Sequence, residues 1–245
     1  MNKKSFLIFI PAYNVEKEIL KVINRIPTII FEENNIKILI INDNSNDKTQ
    51  LIVQNYIEKS DPSKRLMLIN NTVNHGYGGV QKIAFDYAVK HNYDNVIMLH
   101  GDGQYIPEKV PEFISYLKQD VADAIFGSRM MNPRDALKGG MPVYKFIGNK
   151  FLTFIQNIIL GSNFSEFHSG YRSFKVDALK KINYKSNTNS YHFDTQVIIQ
   201  FLKSNLKIKE IPIPTFYGDE ISHLKSIPYG INILKTTILY QFFKK

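Results

Sequence analysis

The segment Asn95-Val96-Ile97-Met98-Leu99-His100-Gly101-Asp102-Gly103-Gln104-Tyr105 decides how this chain folds and where its chemistry sits. A short apolar run stops abruptly at a carboxylate, glycines and an amide. Runs of this length bounded by turn residues read as buried parallel strands. In open α/β sheets, ligands collect beyond the carboxyl ends of the strands. Asp102 and Gln104 therefore stand where a hard cation and a phosphate-bearing substrate would be held. The competing reading is a turn aspartate that caps the next helix.

The same alternation extends to both sides. Apolar runs at 5–10, 36–41, 66–69, 96–99 and 122–126 alternate with helical spacing at 16–31, 47–58, 80–91 and onward from Pro107. Pro27 is expected to bend or end the first helix, and Ser45 or Asn46 to cap the second. Strand and helix repeated in this way predict an α/β fold, a mostly parallel sheet with right-handed crossovers. The pattern loosens after Ser128. A loop at 130–140 leads to a long helix from about Pro142, then a polar loop at 162–172 and a helix at 192–204. The run 207–216 contains Pro212 and Pro214, so an edge or irregular strand is expected there. A last helix is expected from about Tyr229.

A chain of 245 residues suits one large α/β domain, or a domain with a C-terminal appendage. It has no cysteine, which excludes disulfides and thiolate metal sites and fits a reducing compartment. The apolar residues 6–10 are too few for a signal-peptide core. Charge is divided unevenly. Residues 1–127 hold 14 Lys and Arg against 15 Asp and Glu; residues 128–245 hold 17 against 7. The basic second half points to an anionic partner, whether a pyrophosphate, an anionic membrane surface or nucleic acid, or else is a solvated surface. Two apolar stretches, 141–161 and 227–243, are too polar or too short to span a bilayer. Each can lie on a bilayer surface as an amphipathic helix, but burial against the domain is expected of both.

Four clusters close the first four runs. In Pro11-Ala12-Tyr13-Asn14-Val15-Glu16, Tyr13 offers a ring for a nucleobase to stack on, or is a core tyrosine beside a cap. In Asn42-Asp43-Asn44-Ser45-Asn46-Asp47, Asp43 can accept a hydrogen bond from a base or ribose, or close an Asx turn. The glycines of Asn74-His75-Gly76-Tyr77-Gly78-Gly79 can let a backbone approach a ligand closely. A dinucleotide fingerprint would need glycine at position 81, which is Gln81, so that reading is weak. His100-Gly101-Asp102-Gly103-Gln104 supplies oxygen ligands suited to Mg²⁺ or Mn²⁺.

Together these clusters resemble the family 2 glycosyltransferases of the GT-A fold. "IPAYN", "INDNSND", "NHGYGG" and "GDGQY" come in that family's order and spacing. "GSR" at 127–129 and "HSGYRSF" at 168–174 look most like the dolichol- and polyprenyl-phosphate mannose synthase group. The resemblance covers about residues 5–220. It implies a glycosyltransferase domain over 1–220, with a nucleotide-binding half at 1–127 and an acceptor-side half at 128–220. Residues 221–245 then form a C-terminal loop and amphipathic helix.

The resemblance also implies roles. Pro11, Ala12 and Tyr13 flank the nucleobase and Asp43 hydrogen-bonds it; Gly76 and Gly79 belong to the nucleotide-sugar site. Asp102 matches the second carboxylate of the family's DxD, and Gln104 a glutamine that joins the metal sphere. The first carboxylate is replaced by His100, a poorer ligand for Mg²⁺ than for Mn²⁺. Asn42 replaces the first aspartate of the VDD pattern. Arg129 and Arg172 are placed in loops near the donor and acceptor phosphates, or else form surface salt bridges. Lys225 stands, with Ser222, in the place of a mobile phosphate-contacting loop. Asp194 is an acceptor-site base or the cap of its helix. The reaction implied is transfer of a sugar from a nucleotide-diphosphate sugar, with inversion, using a divalent cation. The acceptor is a polyprenyl phosphate or a surface-glycan intermediate, reached in the cytoplasm at the inner face of the membrane. Alternatives are a saccharide-hydroxyl transferase of capsule or lipopolysaccharide synthesis, and a non-catalytic nucleotide-sugar-binding module, which His100 and Asn42 favour. No RNA- or DNA-binding motif accompanies the charge.

Overall fold

In the computed structural model, residues 3–33, 35–60, 64–217 and 226–242 are described. In chain order the elements are β1 (Ser5–Ala12), α1 (Ile19–Asn24), α2 (Ile30–Glu33), β2 (Asn35–Asn42), α3 (Thr49–Ser60), β3 (Leu66–Asn70), α4 (Gly76–Lys90), β4 (Asn95–Met98), α5 (Val110–Lys118), β5 (Ala124–Ser128), α6 (Pro133–Lys138), α7 (Val143–Leu160), β6 (Arg172–Lys175), α8 (Val176–Leu179), α9 (Phe193–Lys203), β7 (Ile208–Pro212) and α10 (Ser226–Phe242). The strands form one sheet in the order β3-β2-β1-β4-β6-β5-β7.

The apolar runs are unbroken because the central strands are covered on both faces. Successive side chains of a strand point to opposite sides. Phe6, Ile8 and Ile10 of β1 enter the core beneath α1 and α5, while Leu7 and Phe9 enter the core shared with α4 and α9. β1 pairs in parallel with β2 and β4, and β2 with β3. Their carboxyl ends, and the loops at 11–16, 42–47, 71–76 and 99–105, therefore share one edge of the sheet.

β6 was not anticipated. It runs antiparallel between β4 and β5, and β5 pairs in parallel with the edge strand β7. Its reversed direction has a functional consequence: the residues that precede it, His168 to Tyr171, arrive at the same edge where the parallel strands end. The helical spacing at 16–31 divides into α1 and α2 on either side of Pro27. α4 begins at Gly76, four residues ahead of the expected start.

α7 departs from the expected burial. Its buried residues are Asn149, Thr153 and Gln156, and six of its apolar residues, Val143, Tyr144, Ile147, Phe151, Phe154 and Ile158, are exposed. The cause is polar demand inside: Asn149 donates to the buried Glu166, Thr153 to Asn149, and Gln156 to Thr237 of α10. Among the described residues, no helix is long and apolar enough to cross a membrane.

Candidate active site

The loops at the carboxyl edge enclose a cleft of about 790 Å³. Pro11, Ala12, Tyr13, Asp43, Gly76, His100, Asp102, Gln104 and Asp194 all line it, joined by Tyr77, Tyr105, His168, Tyr191 and Tyr229. Lys225 and Ser222 lie outside the described residues.

The first two loops are tied together. Asn14, with φ 53°, takes the left-handed conformation that asparagine tolerates. Its amide N–H donates to Ser45 Oγ, and its side-chain oxygen accepts from the Asn46 N–H. Glu16 and Asp47 exchange equivalent bonds with the opposite loop: the Glu16 N–H donates to Asp47, and the Lys48 N–H to Glu16. This bracing leaves Tyr13 40% exposed at the cleft wall.

Asp43 is buried, and its carboxylate is heavily engaged. It accepts from the Asn71 amide at 2.8 Å and from the backbone N–H groups of His75 and Gly76 at 2.9 Å each. The carboxylate thus satisfies donors at the start of α4, where the helix dipole favours negative charge. The glycines of this turn serve a different approach from the expected one. A Cβ on Gly76 would lie 2.8 Å from the Asn189 carbonyl oxygen, and one on Gly78 2.5 Å from that of Thr188. They admit the chain's own 188–193 segment. Gly76 still borders the cleft, whereas Gly79 is buried against His75 and Asn189.

Asp102, in the loop that follows β4, has its side chain 41% exposed. One oxygen accepts from the Gln104 N–H at 3.0 Å, and the other lies 4.0 Å from His100 Nδ1. Burial lowers the His100 pKa, outweighing the pull of Asp102, so the imidazole is neutral near pH 7 and offers a lone pair. Among the described residues no three His, Cys, Asp or Glu side chains converge as a metal cage. The donor set of Asp102, Gln104 and a neutral His100 therefore suits a cation that takes most of its oxygens from a diphosphate and water, as Mg²⁺ commonly does.

Asp194 does not cap α9; no helix-start N–H uses its side chain. Its oxygens accept from Tyr77 Oη at 2.9 Å and the Gln81 amide at 2.8 Å, and one lies 3.7 Å from Arg172 Nη2. Neither Tyr77 nor Gln81 was singled out from sequence for this role; the three residues are far apart in the chain, and no local spacing joins them.

The two arginines require correction. Arg172 is on β6, not in a loop, and is 1% exposed. Its guanidinium donates to the carbonyls of Ser169, Phe167 and Asp194 and lies 4.6 Å over the Phe126 ring. Arg129 is held by the buried Glu166 and also donates to Tyr217 Oη and the His168 carbonyl. Burial would lower the pKa of Arg129, but the Glu166 carboxylate raises it beyond the ordinary guanidinium value. Both arginines are thus internal struts for the 166–170 turn, and neither borders the cleft. The turn places His168 Nδ1 3.0 Å from Tyr229 Oη and leaves His168 Nε2 buried without a partner. Burial depresses the His168 pKa to about 4.

The chain resembles several known proteins. It is 29% identical over 243 residues to the UDP-N-acetylglucosamine–dolichyl-phosphate N-acetylglucosaminyltransferase of Methanococcus voltae, covering 96% of this chain and 92% of that one. It is 25% identical over 224 residues to the undecaprenyl-phosphate mannosyltransferase of Micrococcus luteus, covering 89% and 86%. In fold it matches the solved glucosyl-3-phosphoglycerate synthase of Mycobacterium tuberculosis in complex with Mn²⁺, uridine diphosphate and phosphoglyceric acid. That match has a TM-score of 0.70 at 12% identity and covers 97% of this chain and 78% of that one. The architecture is the GT-A fold. Residues 7–183 match the family model "Glycosyl transferase family 2", and the chain is accordingly a glycosyltransferase belonging to that family.

Proposed function

We propose that the chain transfers a hexosyl group from a nucleoside-diphosphate sugar to a polyprenyl phosphate, with inversion at the anomeric carbon. The observation that carries this reading is the convergence of Tyr13, Asp43 and Asp102 on one cleft. The lipid-phosphate acceptors named for the relatives, and the net positive second half, support the acceptor class.

Tyr13 stacks on the base, and the braced loop that carries it sets the register of the nucleotide. Asp102 and Gln104, with His100 at their side, would hold a divalent cation. When bound, that ion offsets the negative charge growing on the departing nucleoside diphosphate. An acceptor phosphate oxygen attacks the anomeric carbon from the face opposite the leaving group. The new carbon–oxygen bond forms as the bond to the diphosphate breaks, and no proton has to be removed. Arg129 and Arg172 act indirectly by fixing the 166–170 turn.

A saccharide-hydroxyl acceptor would need a base, and Asp194 is the carboxylate at hand. Both its oxygens already accept hydrogen bonds, from Tyr77 Oη and the Gln81 amide, and one lies 3.7 Å from Arg172, so the carboxylate is engaged with the protein and not free to meet an acceptor hydroxyl. Asp194→Asn should therefore reduce transfer by less than about tenfold and leave the pH profile unchanged, whereas removal of a general base costs about 10²- to 10⁴-fold. A hundredfold loss with an altered pH–rate profile would favour the hydroxyl acceptor.

The donor is identified by thermal shift with UDP-, GDP- and dTDP-sugars, with and without Mn²⁺, since a ligand confined to the native state raises the melting temperature. Transfer to a short-chain polyprenyl phosphate then tests the acceptor. Tyr13→Ala should weaken nucleotide binding by roughly 5- to 100-fold, the worth of one base–aromatic stack. Unchanged affinity in a titration would remove Tyr13 from the base site.

A further inference from the structure

The long helix α7 is built inside out. Val143, Tyr144, Ile147, Phe151, Phe154 and Ile158 are each 59% to 65% exposed. At 3.6 residues per turn these six positions fall within an arc of about 100°. The opposite face, buried against the protein, is the polar one: Asn149, Thr153 and Gln156. A soluble surface helix has the reverse arrangement. α10 packs beside α7 through Gln156 and Thr237. Its inner face is mixed, with Thr236 and Thr237 buried beside Ile233 and Tyr240, while Ile231, Ile238, Leu239 and Phe242 are 41% to 67% exposed.

The charge carried by the two helices has one sign. Residues 136–165 and 226–242 contain no Asp or Glu, and the two helices carry Lys145, Lys150 and Lys235. A second copy docked face to face would oppose lysine with lysine. An anionic lipid headgroup layer instead meets the lysines while the aromatic and aliphatic side chains enter the acyl boundary. The face is also continuous with the active cleft: Tyr229, in the first turn of α10, borders the cleft and contacts His168.

We propose that the outward faces of α7 and α10 form a docking surface for an anionic bilayer, which seats the cleft at the headgroup level. This deepens the lipid-phosphate reading, but its test does not depend on it. Vesicles of phosphatidylcholine with phosphatidylglycerol and no polyprenol report docking alone; transfer to a water-soluble short-chain acceptor reports chemistry alone.

In flotation assays the protein should rise with phosphatidylglycerol vesicles and much less with pure phosphatidylcholine, and added salt should release it. Ile147→Ser/Phe151→Ser/Phe154→Ser should lower vesicle partitioning at least about tenfold. That variant should keep its melting temperature and its transfer to the soluble acceptor, because all three side chains are exposed. Lys145→Gln/Lys150→Gln should lose the preference for anionic vesicles. The proposal is overturned if the wild type does not float, or if the triple-serine variant floats as well as wild type. It is also overturned if light scattering shows a wild-type dimer that the triple-serine variant dissolves, which would assign the face to a second copy.

Discussion

Asp102→Asn will lower kcat for sugar transfer about a thousandfold, the scale of losing one preorganised charge contact in the transition state. The substitution keeps the side chain's size and removes only its charge. In the folded protein Asp102 has one hydrogen bond, from the Gln104 N–H, and an amide oxygen can accept that bond equally well. Its side chain is 41% exposed, so no buried partner is orphaned. The melting temperature should therefore stay within about 2 °C of wild type, as for a typical surface substitution. What disappears is the only carboxylate of the His100–Gln104 cluster, and with it the anionic anchor for a cation on the diphosphate. The Mn²⁺-dependent part of the thermal shift produced by the nucleotide should vanish, while the metal-independent part, carried by Tyr13, persists. Near-normal turnover would refute the placement of the cation. A melting temperature lowered by many degrees would show instead that Asp102 is a structural group.

Asp102 and Asp43 were legible in the sequence because each is the terminal event of an apolar run, and parallel strands gather such endings on one edge. The same logic located Tyr13 and the turn at Asn74. It could not reveal β6. Four residues, Arg172 to Lys175, carry too little pattern to separate a strand from a loop, and an antiparallel insertion breaks the rhythm on which the rest was read. With β6 unseen, Arg172 read as a loop residue free to meet phosphate, when its guanidinium is spent on three backbone carbonyls. The glycines at 76 and 78 suggest close approach of a ligand, but what approaches them is residues 188–193, more than a hundred positions away in the chain. α7 misled for a related reason. Its apolar count suggested burial, whereas its polar residues are drawn inward by Glu166 and Thr237, which no local window contains.

Glu166→Ala is expected to be the most destabilising single change at the site. Glu166 has no exposed side-chain surface, and its partner Arg129 is 8% exposed. The carboxylate accepts from the Arg129 backbone N–H, from its guanidinium and from the Asn149 amide. Burial by itself would raise the Glu166 pKa, but the charge and hydrogen bonds of Arg129, with the Asn149 bond, hold it below the ordinary carboxylate value. Removing the carboxylate leaves a buried guanidinium with no counter-charge, a loss of about 3–5 kcal/mol. For a chain of this size that is a fall in melting temperature of roughly 6–20 °C. The double variant Arg129→Met/Glu166→Leu should recover most of the loss, since replacing both charges with apolar groups of similar volume is often close to neutral. Comparable destabilisation of the single and double variants would mean that shape, not charge, sets the cost. Acid should act in the same direction as Glu166→Ala. A carboxyl with a depressed folded pKa contributes stability that is present above its unfolded pKa and lost as pH falls through the folded value. His168, depressed to about 4 by burial, adds to the loss as pH drops from about 6.5, because the unfolded chain takes up a proton that the folded one refuses. Denaturant melts of the wild type between pH 7 and pH 4 should show stability falling throughout, and His168→Gln should flatten the upper part of that decline.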